Sequence, residues 1–262
     1  MIIGSRAAVG WLRIARKYAP DLHYTGPGAL RLNAPNREKW DQVWRDGNTR
    51  RALSAWYDRL AALYSEPQRH YHNFRHLAEC LAELESARHL AREPMAVELA
   101  IWFHDAVYDP RAQDNEERSA ELARRCTLEA GLAAALAESV TQLVLATKAH
   151  DASLHVDAPL VVDVDLSILG QPGPRFAEYE RQIRRENAWV PAPIFASKRA
   201  QILERFLARK RIYATELFFE KYEPRARTNL QNSLGKLKAK LRASAGVVVM
   251  DRAAVRRAGQ AH

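Results

Sequence analysis

Two short stretches of the sequence carry residue types that bind metal ions. The first runs from Arg69 to His76 and contains three histidines, and the second ends in the adjacent pair His104 and Asp105. On a helix His72 and His76 are four residues apart and would project from one face. Imidazole nitrogens beside carboxylates are suited to a catalytic divalent cation that keeps open positions for water and for a substrate oxygen.

Helices are predicted to bring these two stretches together. The chain between His76 and His104 leaves room for one helix, a break between Glu93 and Pro94, and a second helix that returns to the first. Residues 95–107 are almost continuously apolar, which predicts a buried helix. Such a helix would place the Asp105 carboxylate in the interior. Burial of an ionised carboxylate costs free energy unless a cation pairs with it.

A further carboxylate follows in the segment Asp163-Val164-Asp165. The β-branched run over residues 160–165 is by itself as typical of a strand as of a helix. If the segment is helical, Asp163 and Asp165 cannot face the same side, so only one of them is expected at a metal site.

Five motifs occur in order between residues 69 and 170, and they are YHNFRHL, WFHDAVYDP, DNEERSA, LATKAH and DVDLSILG. Together they resemble the HD superfamily of metal-dependent phosphohydrolases, with weaker similarity over residues 38–235. The resemblance implies an all-α helical bundle, in which residues 160–165 are helix, and hydrolysis of a phosphoester by metal-activated water. It also implies a ligand set, which is His76, His104, Asp105 and Asp165.

Other residues in these motifs are candidates for catalysis. Lys148 and His150 are expected to bind substrate phosphate or to donate a proton to the leaving group, although cations at a helix end also compensate its dipole. Asp105 is expected to orient the attacking water in addition to binding the metal. Glu116 either faces that water or is an acid favoured in the first turn of a helix.

Two residues of the first motif are candidates for binding substrate together with Lys148. His72 is expected to contact the substrate phosphate at the mouth of the site, with capping of the helix start as the alternative. Arg69 is a cation near the metal, and a solvated arginine is the commoner outcome for this residue type. The implied cofactor is a divalent cation (Mn, Mg, Fe, Co, Ni or Zn), and whether one or two ions bind is open.

The domain organisation follows from changes in pattern along the 262 residues. Residues 1–37 are interpreted as an N-terminal extension with a short amphipathic helix and a turn-rich connector. Residues 38–243 are predicted to form the helical domain, with a metal-motif core at about 69–187, and residues 244–262 a basic, flexible tail. Trp40, Trp44 and Trp56 recur at helical spacing and are expected in the core.

Composition bounds the class of protein. A hydrophobic content of 47% and a charged content of 27% are typical of a soluble globular chain. Cys80 and Cys126 are expected as buried free thiols. No stretch has the length of a membrane helix, so a cytoplasmic protein without a membrane partner is expected. The partner implied is a small phosphorylated substrate, and the leucine stripe at 230–241 would allow a homodimer.

The net charge of +9 is unevenly distributed. Basic residues concentrate before residue 38 and after residue 197, whereas the metal-motif region has an excess of acids. Basic ends could attract a phosphorylated substrate or bind nucleic acid. The alternative function is therefore a noncatalytic regulatory or nucleic-acid-binding module, although no RNA-binding motif occurs. A glycine-rich phosphate loop is also missing, which argues against a nucleotide-driven motor.

Overall fold

The computed structural model of this chain describes residues 23–24, 30–31, 37–44 and 50–258. Within these residues the fold consists of helices apart from a pair of two-residue antiparallel strands, β1 (His23–Tyr24) and β2 (Leu30–Arg31), which confirms the predicted all-α class. The amphipathic helix predicted near the N-terminus lies outside the described residues. The helices are α1 (Arg37–Val43), α2 (Arg50–Tyr64), α3 (Phe74–Ala87), α4 (Pro94–Phe103), α5 (Asn115–Glu129), α6 (Ala134–Ala149), α7 (Ala158–Asp165), α8 (Gly173–Glu186), α9 (Ala192–Ala208) and α10 (Glu216–Ala258).

Helix α4 is the centre of the bundle. Glu93 is its N-cap and Pro94 its first residue, as the predicted break requires, because proline is tolerated in a first turn. All residues from Ala96 to Phe103 are buried, and α4 packs against α1, α3, α5, α6 and α7. A helix that is apolar on nearly every side must be enclosed in this way, so its C-terminal end lies inside the protein.

The predicted tryptophan core is present on one side of α4. Trp40, Trp44 and Trp56 are buried, and the Trp40 ring makes edge contacts with Trp44 and Trp102 at centroid distances of 5.3 Å. The Trp40 indole N–H donates to the carbonyl of Leu53 at 2.7 Å. These rings attach α1 and α2 to the central helix. Elsewhere in the fold, Cys80 and Cys126 are buried free thiols, as expected.

Residues 160–165, which were ambiguous from propensity alone, lie in helix α7. The two acids of this segment have different surroundings. The Asp163 carboxylate accepts hydrogen bonds from the backbone N–H of Ala214 and Thr215 and from the Thr215 hydroxyl, at 2.6–2.8 Å. Asp163 therefore anchors the start of α10, whereas Asp165, the last residue of α7, faces the end of α4.

Helix α10 closes the other side of the bundle, where it packs against α9 and against the short 3₁₀ helix at Leu166–Gly170. Gly170 is needed for this close approach, because a Cβ there would lie 2.5 Å from the Tyr222 Cβ. The backbone of α10 continues to Ala258, so the tail boundary predicted after residue 243 does not coincide with a helix end. Among the described helices, none combines the length and the apolar character needed to cross a membrane.

Candidate metal centre

Three helices position the candidate ligands. His76 lies in the first turn of α3, which begins after the N-cap Asn73, whose side chain accepts a hydrogen bond from the Arg75 backbone. His104 and Asp105 follow the last residue of α4, and Asp165 ends α7. Since α4 packs against both α3 and α7, these chain positions meet at one place in the interior.

The four side chains that the HD resemblance implies as ligands converge there. The Nε2 atoms of His76 and His104 are 3.0 Å apart. The Asp105 Oδ2 lies 3.3 Å from Nε2 of His76 and 3.0 Å from Nε2 of His104. The Asp165 Oδ1 lies 3.2 Å and 3.7 Å from the same two nitrogens.

These separations match a shared ion. Two donor atoms that each lie about 2.1 Å from one cation are about 3.0 Å apart at a right angle and about 3.4 Å apart at the tetrahedral angle. The five distances between donor atoms, from 3.0 to 3.7 Å, fall around those values. The set of two imidazole nitrogens and two carboxylate oxygens therefore fits a divalent cation in both chemistry and size.

The orientation of His104 is fixed from behind. Its Nδ1 lies 2.8 Å from the carbonyl oxygen of Ile101. A carbonyl only accepts, so Nδ1 must carry the proton, and the Nε2 lone pair is left for the cluster. This is the arrangement by which metal-binding histidines are usually held, because the outer hydrogen bond sets the tautomer and the direction of the ring.

The carboxylates of the cluster favour a positive charge on or between its two histidines. Burial lowers the pKa of His104, but the charge and the hydrogen bond of Asp105, followed by the charge of Asp165, outweigh burial and raise it. Burial raises the pKa of Asp105, but His104 and then His72 bring it well below its usual range. Two partly buried carboxylates thus create a field that stabilises protons on the histidines or, in their place, a metal cation.

Cys80 lies beside the same cluster. The donor atoms of His76, Cys80, His104 and Asp165 all lie within 4.8 Å of one another, so these four residues could hold a metal ion. The Cys80 Sγ, however, is 3.6 Å from His76 Nδ1 and 3.8 Å from its Nε2. The Asp105 Oδ2 lies closer to the imidazole nitrogens, at 3.3 Å from Nε2 of His76 and 3.0 Å from Nε2 of His104. Burial also raises the pKa of this thiol to about 11, whereas the pKa of Asp105 lies well below its usual range, so we expect Asp105 and not Cys80 to be the fourth ligand.

The Cys80→Ala variant is accordingly expected to keep its metal ion, because Asp105 would provide the fourth donor atom. Asp105→Ala should lower the affinity by at least about 10- to 100-fold, the cost of losing even an outer-sphere partner. Elemental analysis after loading with Mn²⁺ and dialysis measures both, with circular dichroism as the control for folding. Metal loss from Cys80→Ala together with retention in Asp105→Ala would instead make sulfur the ligand.

Arg69 is buried, and every nitrogen of its guanidinium has a partner. Its Nε pairs with Glu66 at 2.9 Å, and Nη2 donates to the Ala106 carbonyl at 2.9 Å. Its Nη1 donates to the carbonyls of His72 and Asp105 at 3.0 and 2.6 Å. These bonds connect the first motif to the backbone of the His-Asp pair, so the geometry favours a positioning role for Arg69 over the predicted contact with substrate.

The two predicted residues at the end of α6 are placed differently. His150 caps α6 in the left-handed conformation, with φ 50°, and its Nε2 lies 3.3 Å from Asp165 Oδ2. The Lys148 amine donates to the Gln113 carbonyl at 2.8 Å and forms an ion pair with Glu117. His150 therefore borders the candidate metal centre, whereas Lys148 is exposed and lies against the loop before α5.

Glu116 is half-buried in the first turn of α5. Its pKa is raised, first by burial and then by the charge of Asp105, which outweigh the lowering by its own backbone N–H and by Lys148. It is therefore within electrostatic reach of a candidate ligand. This position is compatible with both interpretations of Glu116, a group that faces the metal-bound water and an acid favoured in the first turn of a helix.

His72 precedes α3, so the prediction that its ring shares a helix face with His76 is wrong. The helix begins only at Phe74, because Asn73 supplies the cap. Even so, the two rings have centroids 6.0 Å apart, and His72 Nδ1 lies 2.7 Å from the Oε2 of Glu186. No local pattern predicts a role for Glu186, which follows Arg184 and Arg185 as an ordinary charged residue.

Comparison of the chain with models of protein families, with curated proteins and with solved structures finds no match. The ligand assignment therefore depends on the convergence of His76, His104, Asp105 and Asp165 and on the chemistry of their donor atoms.

Proposed function

We propose that this chain is a metal-dependent phosphohydrolase that cleaves the phosphoester of a small metabolite, such as a nucleotide or a sugar phosphate. The observation that carries the proposal is the convergence of two imidazole nitrogens and two carboxylate oxygens from three helices. The order of the motifs that supply them, which resembles the HD superfamily, supports the same reaction class. His76, His104, Asp105 and Asp165 would hold the cation.

Exposure indicates the side from which substrate approaches. The side chains of His76 and His104 are 2% and 1% exposed, whereas those of Asp105 and Asp165 are 20% and 16% exposed. Water and substrate can therefore reach the centre past the carboxylates, and the histidines form its closed floor. A divalent cation bound there lowers the pKa of water and polarises a phosphoryl oxygen.

Basic and aromatic groups border this opening. The side chain of His150 is 26% exposed beside Asp165, and its ring packs on Phe206 with centroids 5.6 Å apart. The guanidinium of Arg209 lies 4.8 Å from the centre of the Phe206 ring. Lys148 lies two residues before His150, and its exposed amine would have to leave Glu117 to reach the opening. The basic side chains can bind phosphoryl oxygens and stabilise the charge of the transition state, and His150 can give a proton to the leaving oxygen.

A phosphate-release screen over nucleotides and sugar phosphates tests the proposal. Protein loaded with Mn²⁺ should release inorganic phosphate from at least one substrate class, and removal of the ion with a chelator should abolish release until the ion is restored. Metal-loaded protein that releases phosphate from none of these compounds would contradict the proposal and favour the noncatalytic regulatory alternative.

A further inference from the structure

The ring of His72 is held on several sides although it lies outside any helix. It stacks on Tyr108 with centroids 4.1 Å apart and an angle of 26° between the planes, and it makes an edge contact with Tyr71 at 4.9 Å. The side chain is 20% exposed. Helix capping, the alternative considered for His72, is performed by Asn73. A ring fixed in this manner at the border of the centre requires another explanation.

Glu186, at the end of α8, is the group that fixes this ring. Its Oε1 accepts hydrogen bonds from the backbone N–H of Tyr71 and of His72 at 2.6 and 3.0 Å. Its Oε2 accepts from the Tyr108 hydroxyl at 3.0 Å and lies 2.7 Å from His72 Nδ1. One buried carboxylate thus binds the loop before α3, the His72 ring and the aromatic residue stacked on that ring.

The charge state of Glu186 decides where the proton of His72 resides. Its oxygens accept hydrogen bonds from two backbone N–H groups and from a phenolic hydroxyl, which is the environment of an ionised carboxylate. An ionised carboxylate only accepts hydrogen bonds. Nδ1 of His72 is therefore protonated, and Nε2 is left without a hydrogen-bond partner among the described residues.

We propose that Glu186 is a positioning residue, which holds His72 with its proton on Nδ1 so that Nε2 accepts a hydrogen bond from the attacking water. This inference rests on the proposed phosphohydrolase function and extends it by a carboxylate and histidine pair outside the ligand set. The proximity of the ring to the centre supports it, since the centroid of the His72 ring lies 6.0 Å from that of the candidate ligand His76.

The proton balance of this step is simple. As the water oxygen forms its bond to phosphorus, one O–H bond breaks and that proton passes to His72 Nε2. The ring then carries two protons, and the adjacent Glu186 carboxylate balances its positive charge, as the acid of a catalytic triad does. The bond from phosphorus to the leaving oxygen breaks, and that oxygen takes a proton from His150, which regains one from solvent. His72 returns its own proton to solvent.

Nitrogen NMR of protein labelled with ¹⁵N-histidine tests the tautomer without any substrate. The His72 signals are assigned by their loss in His72→Gln. In the wild-type protein Nδ1 should be protonated and Nε2 should not. In Glu186→Gln the amide N–H₂ can donate to Nδ1, so a large share of His72 should change to the tautomer protonated on Nε2. Finding Nε2 protonated and Nδ1 bare in the wild-type protein would overturn the inference whether or not the variant folds.

A matched control and a paramagnetic probe complete the experiment. Glu93→Gln changes a carboxylate 3.3 Å from another histidine, His155, at the far end of α4, and should leave the His72 signals unchanged. Substoichiometric Mn²⁺ should broaden the His72 ring signals far more than those of His155, because paramagnetic broadening falls steeply with distance. Equal broadening of the two rings would contradict the placement of His72 at the centre.

Turnover rates of Glu186 variants test the role of Glu186 separately from the proposed phosphohydrolase function on which it rests. With the substrate found by phosphate release, Glu186→Gln should lower kcat by about 10- to 100-fold while metal content is unchanged, and Glu186→Asp should recover part of the loss. Wild-type turnover with an unaffected Glu186→Gln variant would refute the inference alone. The expected tautomer and broadening without hydrolysis of any phosphoester would refute the proposed function while the positioning of His72 stands.

Discussion

The Asp165→Ala variant is expected to lose its divalent cation, with a fall in affinity of at least about 100-fold. The loss of a group that merely orients a ligand costs about 10- to 100-fold, and Asp165 provides a donor atom itself. Its Oδ1 lies 3.2 Å from His76 Nε2, and its replacement also removes one of the two charges that attract the ion. Equilibrium dialysis with Mn²⁺ measures the effect.

Asp163→Asn is the matched control on the same helix. Asp163 is also a buried acid of α7, but its oxygens bind the start of α10. The variant should therefore bind the cation as the wild-type protein does, with any loss of stability recorded by urea unfolding. Equal losses of metal in both variants would show that disruption of α7, and not a missing ligand, explains the result for Asp165.

The Lys148→Ala variant is expected to bind the cation normally and to turn over phosphoester about 100- to 1000-fold more slowly, the usual cost of removing one donor that stabilises transition-state charge. In the absence of substrate the amine pairs with Glu117 and Gln113, so phosphate must draw it from an exposed ion pair, which costs little. Rates and metal content measured on the same preparations test this prediction.

Lys238 offers the control for loss of a surface charge. It forms an exposed ion pair with Glu204 at 2.7 Å on the α9 and α10 side of the molecule, so Lys238→Ala should retain wild-type rates. An equally active Lys148→Ala variant would show that Lys148 is only the ion-pair partner of Glu117 at a helix end.

The His150→Ala variant should also keep the metal ion, and the pH dependence of its hydrolysis rate should change if His150 is the general acid. Loss of the metal ion from this variant would instead make His150 a ligand of a second ion.

The sequence predicted those parts of the fold that a local pattern of apolar residues determines. The uninterrupted apolar run before His104 predicted a buried helix, and the spaced tryptophans predicted the core beside it. Residues 160–165 were not decided by propensity, because β-branched side chains accept a helix when its packing partners demand one. The position of His72 outside α3 could have been predicted from Asn73, because asparagine is a preferred N-cap residue and a helix that begins after it excludes His72.

The groups that support the centre could not be predicted in this way. Glu186 meets His72 only because α8 returns to the start of α3, and nothing in its immediate neighbours distinguishes it from a solvated acid. Arg69 is similar, since a buried arginine and an exposed one have the same local sequence. Such contacts depend on tertiary packing between distant segments, which local periodicity does not encode.

Anomalous diffraction from a crystal grown with Mn²⁺ tests the shared cation site most directly. We expect one strong peak about 2.0–2.6 Å from Nε2 of His76 and of His104 and from an oxygen of Asp105 and of Asp165. A protein that binds no ion at saturating Mn²⁺ or Zn²⁺, or a peak held by other residues while these four stay uncoordinated, would contradict the metal centre and with it the proposed chemistry.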